Sequence, residues 1–211
     1  MASPVRRVWG VGTFRTLRAH WMLRELELPY ETRAIHTRTP EMNDPEFVAV
    51  SERGKIPILE DGEVVIGESA AIVLYLGETY RESISLVPEV GDPTRVYLNE
   101  LLFYTMAELE APLYTVRMHG GLPEIYGEAP TAVAAARDYF TRQAGEIERR
   151  LADGRPYLIG EPFSAADLVL APTLTWAKWI EIPLPASLEA YLTRCTERPA
   201  YEPAFKHNLQ S

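Results

Sequence analysis

A chain of 211 residues, 46% apolar and 24% charged, has the size and composition of one or two globular domains with a sizeable core, which excludes disordered, collagen-like and coiled-coil architectures. Its 30 acidic residues against 21 basic ones leave a net charge of −9, which disfavours binding to a phosphate backbone or to an anionic membrane surface. One cysteine, Cys195, cannot close an intramolecular disulfide or build a Cys-rich zinc site, and His20, His36, His119 and His207 follow no metal-ligand spacing.

No run approaches the roughly 18 apolar residues of a membrane span, and no apolar stretch follows Met1–Arg7 as it would in a leader, so the expected compartment is the cytoplasm. Residues 7–10, with Val8 and Trp9 closed by Gly10, predict a strand. Thr16–Glu27 predicts a helix, stopped by Leu28-Pro29 because a residue before proline is pushed out of the helical region. Tyr30–Ile35 predicts a second strand. Residues 36–55 read as loop, with at most a short helix over Glu46–Val50.

Residues 56–67 carry the clearest local signal. Two apolar runs, Ile56–Glu60 and Glu63–Gly67, flank Asp61-Gly62, which supplies the positive φ angles of a tight hairpin. The almost wholly apolar helix expected over Glu68–Tyr80 should be buried. The order β-α-β then β-β-α is the thioredoxin-like arrangement, a mixed sheet with helices on both faces. Residues 81–92 read as a linker, after which strand signals stop. Helices are expected over Thr94–Val116 (with a kink or break at Pro112), Thr131–Leu151, Ser164–Ile180 and Leu188–Glu197, and a short one over Tyr201–Lys206. The fold class is therefore α/β plus all-α, a thioredoxin-like domain over 1–80, a linker over 81–92 and a helical-bundle domain over 93–211.

Ser164-Ala165-Ala166-Asp167 has the spacing of a capping box with Asp in place of Glu, and Phe163 and Leu168 sit at the staple positions, so this motif is read as a folding device rather than a catalytic pair. Cys195 falls in an apolar late helix and is read as a small buried hydrophobe. Ile56-Pro57 is either a plain strand-entry proline or a cis bond that aims the Ile56 backbone outward to pair with an extended peptide. Gly67-Glu68-Ser69 opens a buried helix. Ser69 is either a simple cap or part of an anion site built on that helix N-terminus, and Glu68 beside it suits an ammonium.

These motifs together resemble the cytosolic glutathione transferases, over Thr13–Glu31, Gly54–Tyr80, the linker with Leu86-Val87-Pro88, and Gly160–Leu170. The resemblance implies a thioredoxin-like domain, a helical domain, a homodimer, and glutathione as co-substrate without a metal. It also implies that Pro57 is the family's cis-proline and that Ile56 pairs with the cysteinyl unit. Glu68 and Ser69 would hold the γ-glutamyl ammonium and carboxylate, and Lys55 the glycyl end. At the family's thiol-activating position this chain carries Thr13, similar to bacterial members of the hydroxyl type, with Arg15 and Thr16 as alternatives. Lacking Tyr, Ser and Cys there, it departs from the commoner choices. The resemblance places the electrophile against Phe14, Tyr104, Met106 and Arg117, with Met118 and Trp176 as further candidates. The implied reaction is attack of the glutathione thiolate on an electrophile, with glutathione-dependent peroxide or disulfide reduction beside it. The alternative is a non-catalytic module that keeps the fold.

Overall fold

The computed structural model describes residues 6–210; residues 1–5, where the absence of a leader was expected, lie outside the described residues. Packing divides the chain into two units, residues 6–89 with 196–210, and residues 90–195. The final helix thus groups with the sheet, whereas the sequence joins it to the helical domain. The reason is its apolar and aromatic face, which packs on the first helix through Trp21 and Tyr201, with ring centroids 4.9 Å apart.

The first unit is built on a four-stranded sheet of order β2-β1-β3-β4. β1 spans Arg6–Trp9, β2 Glu31–Arg33, β3 Ile58–Asp61 and β4 Val64–Gly67. β2 runs parallel to β1, and β3 and β4 run antiparallel to their neighbours. The β3–β4 turn lies one residue later than expected, at Gly62-Glu63, because Asp61 still pairs with Val64 at the end of β3; Gly62, at φ +62°, supplies the positive φ. Side chains alternate across a strand, so the paired residues Val8 and Leu59 face one side and Trp9 and Ile58 the other. On the second side Trp9 and Ile58 pack with Ile35, Phe47 and Ile56 beneath the short helix α2, Pro45–Val50. The first side is covered by α1, Phe14–Glu25, and α3, Ser69–Thr79. Gly77 lets α3 lie close, since a Cβ there would come within 2.4 Å of Val87 and 2.9 Å of Met22. The buried pair Arg6–Asp61, at 3.4 Å, and the hydroxyls of Tyr75 and Tyr80 donating to Asp61 tie the hairpin turn to β1 and α3.

The helical unit contains α4 (Pro93–Tyr104), α5 (Ala111–His119), α6 (Pro123–Tyr126), α7 (Pro130–Leu151), α8 (Ala165–Trp179) and α9 (Ala186–Thr196). The break expected at Pro112 takes the form of a wide π-turn over Thr105–Glu110, which absorbs the missing proline N–H without ending the helix. Asp167 is the polar hub. It accepts hydrogen bonds from the Ser164 N–H at 2.9 Å, the Ser164 hydroxyl at 2.7 Å, the Leu158 N–H at 2.8 Å and the Tyr191 hydroxyl at 2.8 Å. The capping box is therefore structural, and Cys195 is buried as expected. α10, Tyr201–Gln210, is longer than the sequence suggests. None of the described helices is long and apolar enough to cross a membrane.

Candidate active site

The sheet register brings the candidate residues of the first unit to one end of the sheet. Trp9 pairs with Ile58, and Ile58 with Gly67. The residues following Trp9, those preceding Ile58 and those following Gly67 therefore all emerge from the same end of the sheet. That end carries Thr13–Thr16, Lys55–Pro57 and Glu68–Ser69. Gly10 makes the approach possible: it has φ +112°, and a Cβ there would lie 2.5 Å from Ile56 Cβ and 3.0 Å from Thr16 Cγ2.

Thr13 is the N-cap of α1, three residues ahead of the helix start expected from sequence. Its backbone is extended, at φ −129° and ψ 159°, and its hydroxyl accepts the Thr16 N–H at 3.0 Å. Thr16 returns the contact, its hydroxyl accepting the Thr13 N–H at 3.0 Å. The two Thr side chains thus form a capping box without a carboxylate, so the first turn of α1 carries no acidic residue. The first turn therefore places no negative charge against the positive end of the helix dipole. Thr13, Phe14 and Arg15 are half-buried, and Thr16 is buried.

The Ile56-Pro57 bond is cis. Ser51 holds the approach to it, donating to the Lys55 carbonyl and accepting the Lys55 N–H, both at 2.9 Å. The Lys55 side chain is exposed, and Ile56 and Pro57 are buried. On the third segment Glu68 adopts φ +66°, a left-handed conformation uncommon for a non-glycine residue, which turns the chain from β4 into α3. Its exposed carboxylate pairs with Arg53 at 3.0 Å, so the group expected to receive an ammonium already has a cationic neighbour.

Ser69 is 2% exposed, and its hydroxyl accepts from Nη1 of Arg18 at 3.0 Å. Arg18 is itself fully buried on α1. This guanidinium reinforces the positive potential of the α3 N-terminus. The sequence patterns single out neither Arg18 nor Arg53 as a site residue. Both lie far in sequence from the residue each one meets, so no local pattern reports them.

The remaining candidates lie in the helical unit. The Tyr104 hydroxyl lies 2.8 Å from Gln143 Oε1 and 2.9 Å from the Gln143 carbonyl, and burial, with Glu146 and Glu108 nearby, pushes its pKa up to about 12. It is therefore a neutral donor across the physiological range. Arg117 donates to the Gly121 carbonyl at 3.1 Å, closing the end of α5. Met106 and Met118 are half-buried, and Trp176 belongs to the helical core. Among the described residues no group of three or more His, Cys, Asp and Glu is placed to hold a metal ion.

Comparison with known proteins agrees with this geometry. Residues 15–79 match the family model for the glutathione S-transferase N-terminal domain, and residues 130–197 the model for the C-terminal domain. A glutathione S-transferase-like protein of Aspergillus terreus, gedE, is 30% identical over 190 residues, covering 82% of this chain and 76% of the relative. The chain belongs to the glutathione S-transferase family. Glutathione S-transferase hmp2 of Hypomyces subiculosus is 29% identical over 170 residues, 77% of this chain and 78% of that one. A solved glutathione transferase of Methylococcus capsulatus superposes with a TM-score of 0.82 at 25% identity, covering 98% of this transferase and 100% of that chain. A family member from Pseudomonas fluorescens, solved with two glutathione molecules bound, shares the fold with a TM-score of 0.83 at 22% identity, covering 96% and 92%.

Proposed function

We propose that this transferase binds glutathione at this end of the sheet and activates its thiol through the Thr13 hydroxyl. The observation that carries the reading is the convergence of Thr13, the cis Ile56-Pro57 bond and the Arg18-backed Ser69 on one end of the sheet. In this reading the γ-glutamyl carboxylate lies at the α3 N-terminus against Ser69. The ammonium meets Glu68, which then shares its carboxylate with Arg53. The Ile56 backbone pairs with the cysteinyl unit, and Lys55 approaches the glycyl carboxylate.

The cysteinyl sulfur then faces Thr13. A thiol with an ordinary pKa of about 8.5 is mostly protonated at neutral pH, and a hydroxyl donor at a helix N-terminus stabilises the thiolate over the thiol. The thiolate lone pair forms a carbon–sulfur bond to the electrophile, whose leaving group departs with the electron pair of the broken bond. Thr16 is the weaker candidate for activator, because its hydroxyl is engaged inside the loop. Phe14, Tyr104, Met106 and Arg117 are the proposed electrophile contacts. Thiolate attack on a peroxide or disulfide is part of the same proposal, as are residues 1–80 acting as the glutathione-binding part and a cytoplasmic site of action. A homodimer is also proposed, supported by Val96 and Phe103, which lie seven residues apart on one face of α4 and are 69% and 76% exposed.

Calorimetric titration of glutathione into the wild type and Ser69→Ala tests the binding half of the reading. Saturation in the wild type with about tenfold weaker binding in the variant is expected. No heat of binding at millimolar glutathione would contradict it and favour a module that keeps the fold and has lost the ligand.

A further inference from the structure

Asn208, on α10, is 2% exposed and makes three contacts with the loop that carries Thr13. Its carboxamide nitrogen donates to the Thr13 carbonyl at 3.0 Å, its carboxamide oxygen accepts from the Thr16 hydroxyl at 2.7 Å, and its own carbonyl accepts the Gly12 N–H at 2.8 Å. Chemistry fixes the amide orientation. The Thr13 carbonyl can only accept, so the NH2 group must face it, and the amide oxygen must face Thr16.

The orientation decides where the hydroxyl protons go. The Thr16 hydroxyl lies 2.8 Å from the Thr13 carbonyl and 2.7 Å from the Asn208 carboxamide oxygen, but the two lone pairs of that carbonyl are already engaged by Asn208 and by the Leu17 N–H at 3.1 Å. The Thr16 proton therefore points at Asn208. Thr16 Oγ1 is left as an acceptor, used by the Thr13 N–H. Thr13 Oγ1 accepts the Thr16 N–H, and within the loop its own proton has only Thr16 Oγ1, at 3.0 Å, to turn towards. A stronger acceptor arriving from outside, such as a thiolate, takes that proton by a single hydroxyl rotation.

We propose that Asn208 is a positioning residue for thiol activation: from the last helix of the chain it holds the Thr13 loop and withdraws the Thr16 proton, so that the Thr13 hydroxyl is the donor presented to glutathione. This rests on the reading of Thr13 as the activating donor. Asn208 touches neither substrate nor sulfur and acts through Thr13 alone. An aspartate in its place would put an oxygen against the Thr13 carbonyl and a negative charge near the thiolate, so Asp should be worse than Ala.

The test follows the ionisation of enzyme-bound glutathione by thiolate absorbance against pH, at saturating glutathione, in the wild type, Asn208→Ala, Asn208→Asp, Thr13→Ala and Thr32→Val. Thr32 contacts His207, the neighbour of Asn208 on α10, at 2.8 Å, so Thr32→Val loosens α10 without touching the Thr13 loop. The expected result is a bound-thiol pKa raised by about one unit in Asn208→Ala and further in Asn208→Asp, unchanged in Thr32→Val, with binding of glutathione changed less than about threefold in Asn208→Ala. A raised value in Thr13→Ala with a wild-type value in both Asn208 variants overturns this proposal and leaves the reading of Thr13 standing. Equal rises in Asn208→Ala and Thr32→Val also overturn it, because general loosening of α10 would then suffice. A wild-type value in Thr13→Ala removes the reading of Thr13 and this proposal with it.

Discussion

Nη1 of Arg18 donates to the hydroxyl of Ser69 across 3.0 Å, and both side chains are closed off from solvent. A buried guanidinium thus stands directly behind the hydroxyl that the proposed site offers to a carboxylate. With Ser69 accepting from Arg18, its own proton is directed away from Arg18, towards an incoming anion. Arg18→Met should weaken glutathione binding by about tenfold or more, and Arg18→Lys by less, since a buried charge-assisted bond contributes about 1.5–3 kcal/mol. Calorimetry with glutathione and with an analogue lacking the γ-glutamyl carboxylate separates binding from folding damage. The wild type should lose affinity for the analogue and Arg18→Met should lose little more, whereas equal losses in both proteins would show that Arg18 does not act on the carboxylate.

His20 should make the fold acid-sensitive. Its Nε2 lies 3.1 Å from the Gly10 carbonyl and its Nδ1 3.1 Å from the Tyr30 hydroxyl. A carbonyl only accepts, so Nε2 carries the proton and Nδ1 accepts from Tyr30. Burial, opposed by the bond to Gly10 and reinforced by His207 and Arg24, lowers the His20 pKa from 6.5 to about 4. The unfolded chain therefore binds a proton between pH 6.5 and 4 that the native state refuses. Stability is full above pH 6.5 and falls on acidification through this window, by about 3 kcal/mol at its end. Urea unfolding at pH 7, 5.5 and 4.5 should show His20→Gln clearly less stable than the wild type at pH 7, with the gap narrowing as the pH falls. A gap independent of pH would contradict this.

Asp167→Ala should be among the most damaging substitutions in the helical unit. It strips acceptors from the Leu158 N–H, the Ser164 N–H and hydroxyl, and the Tyr191 hydroxyl, all in a buried setting. A loss of about 3–5 kcal/mol is expected in denaturant unfolding. A loss below about 1 kcal/mol would mean that water replaces the carboxylate.

Gly10→Ala probes the convergence itself. The new Cβ would meet Ile56 Cβ at 2.5 Å, at a φ of +112° that other residues avoid. The variant should lose glutathione affinity by more than Gly12→Ala, whose Cβ meets the His36 ring at 3.0 Å instead of the proline loop. Equal losses would show that the approach of Ile56 to Gly10 does not shape the site.

Features held by local chemistry were readable from the sequence. Asp61-Gly62 between two apolar runs specifies its hairpin within a few residues, and Ser164 with Asp167 specifies a cap within one turn. The start of α1 was missed because its cap uses Thr16 where Glu is usual, so Thr13 lacked the ordinary signature. The short α6 was missed because Pro123–Tyr126 sits in a connection rich in glycine and proline. The end of α10 was cut short because His207 and Asn208 look like a polar tail. Their partners, Thr32, Thr13 and Thr16, lie at the other end of the chain. Ser69 was readable as a candidate, but its contact with Arg18 was not, for the same reason: a contact between distant segments leaves no periodicity in either one.

Whether Thr13 donates to the glutathione sulfur is read from the pKa of the bound thiol in the wild type and in Thr13→Ala, with Thr13→Ser as the conservative control. A value about one or two units below the ordinary 8.5 is expected in the wild type and in Thr13→Ser, returning towards 8.5 in Thr13→Ala while glutathione still binds. A bound thiol as acidic in Thr13→Ala as in the wild type would contradict it and move the role to Arg15 or to the α1 N-terminus alone.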